Sequence, residues 1–117
     1  MLLELIKSII DSDSGLTEGI SITDFSYKLS FFLEAGKEID IVLEGQDIVI
    51  MAECNNYAPE NIYKITEKMV EEFSDKARRL AKERFQYKKL RLGYFSKHGF
   101  EKKIIPVFDR HNIFFAS

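Results

Sequence analysis

The stretch Lys37–Asn56, KEIDIVLEGQDIVIMAECNN, decides how this chain is read. Two apolar runs, 38–44 and 47–54, flank the turn EGQD and read as paired strands. Gly45 supplies a positive φ at the first central position of a two-residue hairpin turn. With Gly45-Gln46 as that turn, Glu44 pairs with Asp47, Asp40 with Met51 and Glu38 with Glu53. Side chains alternate along a strand, so Glu38, Asp40, Glu53 and Asn55 share one face. Ile39, Ile41, Leu43, Ile48, Ile50, Ala52 and Cys54 share the other, which is apolar throughout.

Three acids at one end of a hairpin are costly. Directly opposed carboxylates repel, and diagonal neighbours lie about 7–8 Å apart, within reach of long side chains. Two such carboxylates can share one cation. Magnesium prefers oxygen ligands and often takes one or two protein carboxylates. The alternative is a solvated sheet face whose acids meet only water.

Outward from the hairpin, Leu2, Leu5, Ile6, Ile9 and Ile10 form a helical stripe that DSDSG (11–15) stops. Phe25, Tyr27, Leu29, Phe31 and Leu33 alternate with polar residues, which predicts a strand ending at the turn Ala35-Gly36. Ile20 and Ile22 have the opposite parity, so a bulge or turn is expected near Thr23-Asp24. After the NNYAP loop, Pro59 suits a helix start. Ile62, Ile65, Met69, Phe73, Ala77 and Leu80 then predict one long helix to about Phe85. KKLRLGYFS (88–96) alternates again, and IIPVF and NIFFA read as short extended pieces. The order is helix, three-strand meander, long helix, strand. The fourth strand is expected to pair in parallel with the third, giving an α/β mixed sheet with helices packed on it.

A chain of 117 residues suits one domain with a modest core. It has no apolar run long enough to span a bilayer, and MLLELIKSII is interrupted by Glu4 and Lys7, unlike a secretory signal. Cys54 is the sole cysteine, which fits a reducing, cytoplasmic location. The net charge of -2 hides an asymmetry. Residues 1–75 hold 5 basic and 16 acidic side chains, whereas 76–117 hold 12 and 3, a local balance of +9. Lys76, Arg78, Arg79, Lys82, Arg84, Lys88, Lys89 and Arg91 concentrate that charge, at a density suited to phosphate contacts. A solvated helix end with cations complementing the helix dipole is the plainer account.

The pattern EID, an eleven-residue interval, then AEC and Asn55 resembles the active-site hairpin of the PD-(D/E)XK phosphodiesterase superfamily. That superfamily includes restriction endonucleases and archaeal Holliday-junction resolvases. Its core is a restriction-endonuclease-like α/β fold with the element order given above. LRLGYFSKHGFEKKI (90–104) is also similar to a segment of the nuclease-like C-terminal domain of certain archaeal and bacterial ATPases. No phosphate-binding GxxxxGK[ST] occurs. The resemblance implies a single nuclease-like domain over 1–117, either free-standing or part of a larger protein.

The resemblance also implies roles. Asp40 and Glu53 match the metal-binding acids, with the Cys54 carbonyl and Glu38 assisting, and Glu4 matches the first-helix acid of some members. Asn55 occupies the position of the motif lysine, which helps to activate the attacking water. A neutral amide does this poorly. Lys64 or Lys68, on the predicted long helix, is the candidate for a relocated lysine. The expected function is therefore DNA binding with a degenerate, magnesium-dependent nuclease site. The alternatives are a silent interaction or accessory module of an ATPase, and an active nuclease with a moved lysine. Arg78, Arg79, Lys82, Lys88 and Lys89 are the expected nucleic-acid contacts. Expected partners are DNA, an ATPase domain or partner chain, and a second copy of this chain; no membrane is expected. Two other sets are weaker: Tyr94, His98 and Lys102, which are similar to the residues of RNA-splicing endonucleases, and His98 with His111 as zinc ligands.

Overall fold

A computed structural model describes residues 26–31, as a backbone strand, and 39–117. The strands are β1 (Ser26–Phe31), β2 (Ile39–Glu44), β3 (Ile48–Asn55), β4 (Lys89–Ser96) and β5 (Ile113–Ala116). They form one five-stranded sheet in the order β1-β2-β3-β4-β5. The first three strands run antiparallel, β4 is parallel to β3, and β5 is parallel to β4. The protein is therefore mixed α/β. The expected parallel partnership of the third and fourth strands is present. The expected N-terminal helix, the bulge near Thr23-Asp24, the Ala35-Gly36 turn, Glu4 and Glu38 lie outside the described residues.

The hairpin register differs from expectation by one step on each strand. The pairs are Ile41 with Ala52, Val42 with Met51, Leu43 with Ile50 and Glu44 with Val49. Gly45 donates its N–H to the Ile48 carbonyl at 2.8 Å, so Gln46 and Asp47 form the exposed tip. Gly45 is not a positive-φ glycine; among the described residues only Gly99 is, at φ 87°. The reason is electrostatic. The expected turn would put Glu44 opposite Asp47, whereas this one sends Asp47 into solvent. Lys88 Nζ then bridges the Glu44 carboxylate at 3.0 Å and the Gly45 carbonyl at 2.5 Å, fastening the turn. A shift on both strands preserves parity, so the two faces keep their expected members.

Neither face is a solvated one. Val42, Val49 and Met51, on the acid-bearing face, are fully buried. So are Leu43, Ile50 and Ala52 on the other. The acids lie only where the first of these faces runs beyond its core.

The long helix is two pieces. Pro59–Lys64 is a 3-10 helix, and α1 spans Glu67–Arg84. Thr66 separates them as an N-cap, its side-chain oxygen accepting the Met69 N–H. Val70, Phe73, Ala77, Leu80 and Ala81 recur at helical spacing and are buried against Met51, Leu92 and Tyr94. Lys82 and Arg84 occupy the last turn, where cations offset the helix dipole. The segment IIPVF is not extended. Pro106 lies in the first turn of α2 (Ile105–Arg110), which follows a 3-10 turn at Lys102–Ile104. Ile104, Val107 and Phe108, spaced by three and four, are all buried, and that helical spacing outweighs the β-branched composition. NIFFA forms β5, as an extended piece should.

Candidate functional site

β3 and β4 run in parallel and end together, with Asn55 level with Ser96 and Glu53 level with Tyr94. In open α/β sheets, ligands commonly bind in the crevice beyond such carboxyl ends. Continued one step beyond the last β2–β3 pair, the register sets Asp40 opposite Glu53. The carboxylates are thus directly opposed, not diagonal as the expected register had them. There the ladder gives way to a side chain, since Asp40 Oδ2 accepts the Cys54 N–H at 2.9 Å. Asp40, Glu53, Cys54 and Asn55 are all partly exposed.

Asn55 does not project freely into this space. Its side-chain amide donates to the Tyr94 hydroxyl at 2.7 Å. Tyr94 is 1% exposed, held by edge-on contact with Phe73 and by Phe100 and Phe108. Burial first, and then the Glu53 charge, push its hydroxyl well above the ordinary tyrosine range, although the Asn55 bond works the other way. The hydroxyl therefore keeps its proton and remains a donor. Ser96 is fully buried, and its Oγ has no hydrogen-bond partner among the described residues. Parity places it on the same face as Tyr94. Burial, reinforced by Asp40 and Glu53, pushes the Cys54 thiol from 9.0 up to about 12. Cys54 is therefore a neutral thiol, not a nucleophile.

A local negative potential is thus felt by two neighbouring groups. Its source is a pair of hard oxygen ligands, the donor set that magnesium takes. No group of three or more His, Cys, Asp or Glu converges among the described residues. A fit to such an ion would therefore rest on the two carboxylates and backbone oxygen.

Lys64 and Lys68 are exposed. Lys68 is 85% exposed and pairs with Glu72 at 3.8 Å, one turn along α1, so its ammonium is not among the acids. His98 and Lys102 are exposed too, while the Tyr94 hydroxyl is bonded to Asn55.

The basic residues divide into two groups. Arg78 is tied down, with Nε on Ser74 at 3.1 Å and Nη2 on the His111 carbonyl at 2.7 Å. Lys88 fastens the β2–β3 turn. Arg79, Lys82 and Lys89 are exposed and make no ion pair among the described residues. Lys89 is level with Ile48, at the far end of β3 from Asn55. An eight-residue strand rising about 3.3 Å per residue separates these ends by roughly 23 Å. Beside Lys88-Lys89 stands Tyr87, 97% exposed. Neither Tyr87 nor Ser96 was among the expected site residues: Tyr87 belongs to no motif, and Ser96 lies within LRLGYFSKHGFEKKI without a role implied by it, although the parity of KKLRLGYFS places it on the acid face.

No helix among the described residues is long and apolar enough to cross a membrane. No protein-family model matches the chain, and no curated protein matches it.

Proposed function

We propose that the protein is a restriction-endonuclease-like domain that binds nucleic acid and carries a weakened, metal-dependent phosphodiesterase site. The observation that carries this reading is Asp40 facing Glu53 at the carboxyl end of β3, with Asn55 next on the same face. Asp40 and Glu53 would hold a magnesium ion, with the Cys54 carbonyl assisting. When bound, such an ion supplies an activated water and offsets phosphate charge. Asp40 also anchors the Cys54 backbone, which fixes β2 against β3 where the site opens. Tyr94, buried and kept protonated, fixes the Asn55 amide. Asn55 cannot take or give a proton, which leaves the general-base position empty. A silent binding module is the competing reading, and the bond that engages the Asn55 amide on Tyr94 favours it.

The test is a magnesium or manganese titration followed in two ways. Calorimetry should show weak binding that Asp40→Asn and Glu53→Gln each remove. Both acids raise the thiol of Cys54, so an ion that neutralises them should lower it and speed its alkylation at alkaline pH. Equal heats from the parent and both variants, with alkylation unchanged by the ion, would sink the metal reading.

A further inference from the structure

A polar cavity lies away from Asp40 and Glu53, between β4, α2 and the start of β5. Its volume is about 250 Å³, and Arg91, Phe108, Asp109, Asn112, Ile113 and Phe114 line it. Arg91 is half-buried. Its Nε is buried without a hydrogen-bond partner, and the guanidinium forms no ion pair among the described residues. A buried polar group left without a partner is costly unless something completes it.

We infer that this cavity binds a single oxyanion, a phosphate or carboxylate group, on the Arg91 guanidinium. The planar fork of arginine matches such groups in a bidentate manner. The surroundings are fixed in advance. Asn112 is held at φ 54°, and its N–H bonds to the Asp109 carbonyl at 3.2 Å. Arg78 grips the neighbouring His111 carbonyl. The Phe114 ring lies against Gly93, where an added Cβ would meet it at 2.7 Å, so this wall depends on glycine. Asn112 brings a side-chain amide to the rim. Asp109, exposed on the last turn of α2, opposes an anion and sets an upper limit on affinity. The volume is below the roughly 300–1,000 Å³ of pockets that take drug-sized ligands, which suits one phosphate group with little of its carrier. The inference is independent of the metal reading. Arg91 stands three residues before Tyr94, roughly 10 Å back along β4.

The experiment is a titration of the protein with inorganic phosphate, following the backbone amide resonances of Gly93 and Asn112. A saturable shift is expected. Arg91→Gln should weaken binding by about ten- to hundredfold, the loss of one charge-assisted bond. Asp109→Asn should strengthen it, the opposite sign. Parallel titrations identify the source. Acetate tests the carboxylate, a nucleoside 5′-monophosphate tests a terminal phosphate, and an unphosphorylated oligonucleotide tests an internal phosphodiester. Because Arg91 is unpaired, Arg91→Gln should melt no lower than the parent. If that variant nevertheless unfolds, Asp109→Asn still decides, since it touches only an exposed side chain. Failure of all four probes to saturate, or identical affinity in Asp109→Asn and the parent, overturns the inference.

Discussion

In the proposed function, Asn55 is the residue on which catalysis would turn. On β3 it stands two positions beyond Glu53, hence on the same face, with its amide on the Tyr94 hydroxyl. A lysine there would reach the same space and meet the negative potential that already raises Tyr94 and Cys54. Its ammonium would be stabilised by Asp40 and Glu53, and could steady a phosphate or exchange a proton. Help of that kind is typically worth about 10²–10⁴-fold in rate. The unmodified chain should therefore show little or no magnesium-dependent cleavage of DNA. Asn55→Lys should create or raise it, and adding Glu53→Gln should abolish the gain. Cleavage by the parent that Lys64→Ala or Lys68→Ala stops would instead mean that a lysine has moved, and the lost-lysine account fails. The motif made Asp40, Glu53 and Asn55 legible in the sequence. The Asn55–Tyr94 bond was not legible, because it depends on the parallel register that levels Glu53 with Tyr94.

Among the elements, strands were easier to read than helix boundaries. Period-two alternation marked β2, β3 and β4 to within a residue or two, because a shift of one residue would turn every side chain to the other face. The hairpin tip escaped, since Gly45-Gln46 and Gln46-Asp47 preserve the same parity. Only the repulsion of Glu44 and Asp47 and the reach of Lys88 distinguish them, and Lys88 is remote in sequence. The split at Thr66 escaped for a different reason: apolar spacing continues through Ile62, Ile65 and Met69, and capping is a local hydrogen bond that periodicity does not report. Thr66 accepts the Met69 N–H at 3.3 Å and starts the element that crosses from β3 to β4. Thr66→Ala should cost about 1 kcal/mol, and Thr66→Ser much less. Urea unfolding measures both. Equal midpoints for Thr66→Ala and the parent would mean that packing of Val70 and Phe73 alone sets the start of α1.

Across the whole molecule, Asp40 and Glu53 lie towards one end of the β2–β3 pair, and Lys89 lies level with the other end of β3. Roughly the length of β3, about 23 Å, separates Lys89 from the end of β3 that carries Asn55. A nucleic acid lying on Lys89 would have to span about that length for a phosphate to reach Asp40 and Glu53. Arg78 and Lys88 are already engaged by the fold, so of the five expected contacts Arg79, Lys82 and Lys89 remain to release counterions from phosphates. Tyr87 adds a ring fully in water at the same end, on which a base of a single strand can stack. Binding should weaken steeply with salt. Charge reversal at Arg79 and Lys82 should weaken it alike for every sequence and flatten the salt slope. Tyr87→Ala should separate substrates, because a stacked base is worth about 1–3 kcal/mol on a single strand, whereas paired bases stay in the helix. Fluorescence anisotropy with matched single-stranded and duplex oligonucleotides measures all three effects. Equal loss for both forms in Tyr87→Ala would mean that Tyr87 only supports the turn before Lys88-Lys89. Absence of binding even at low salt would remove nucleic acid as the partner and leave protein interaction as the better account of this surface.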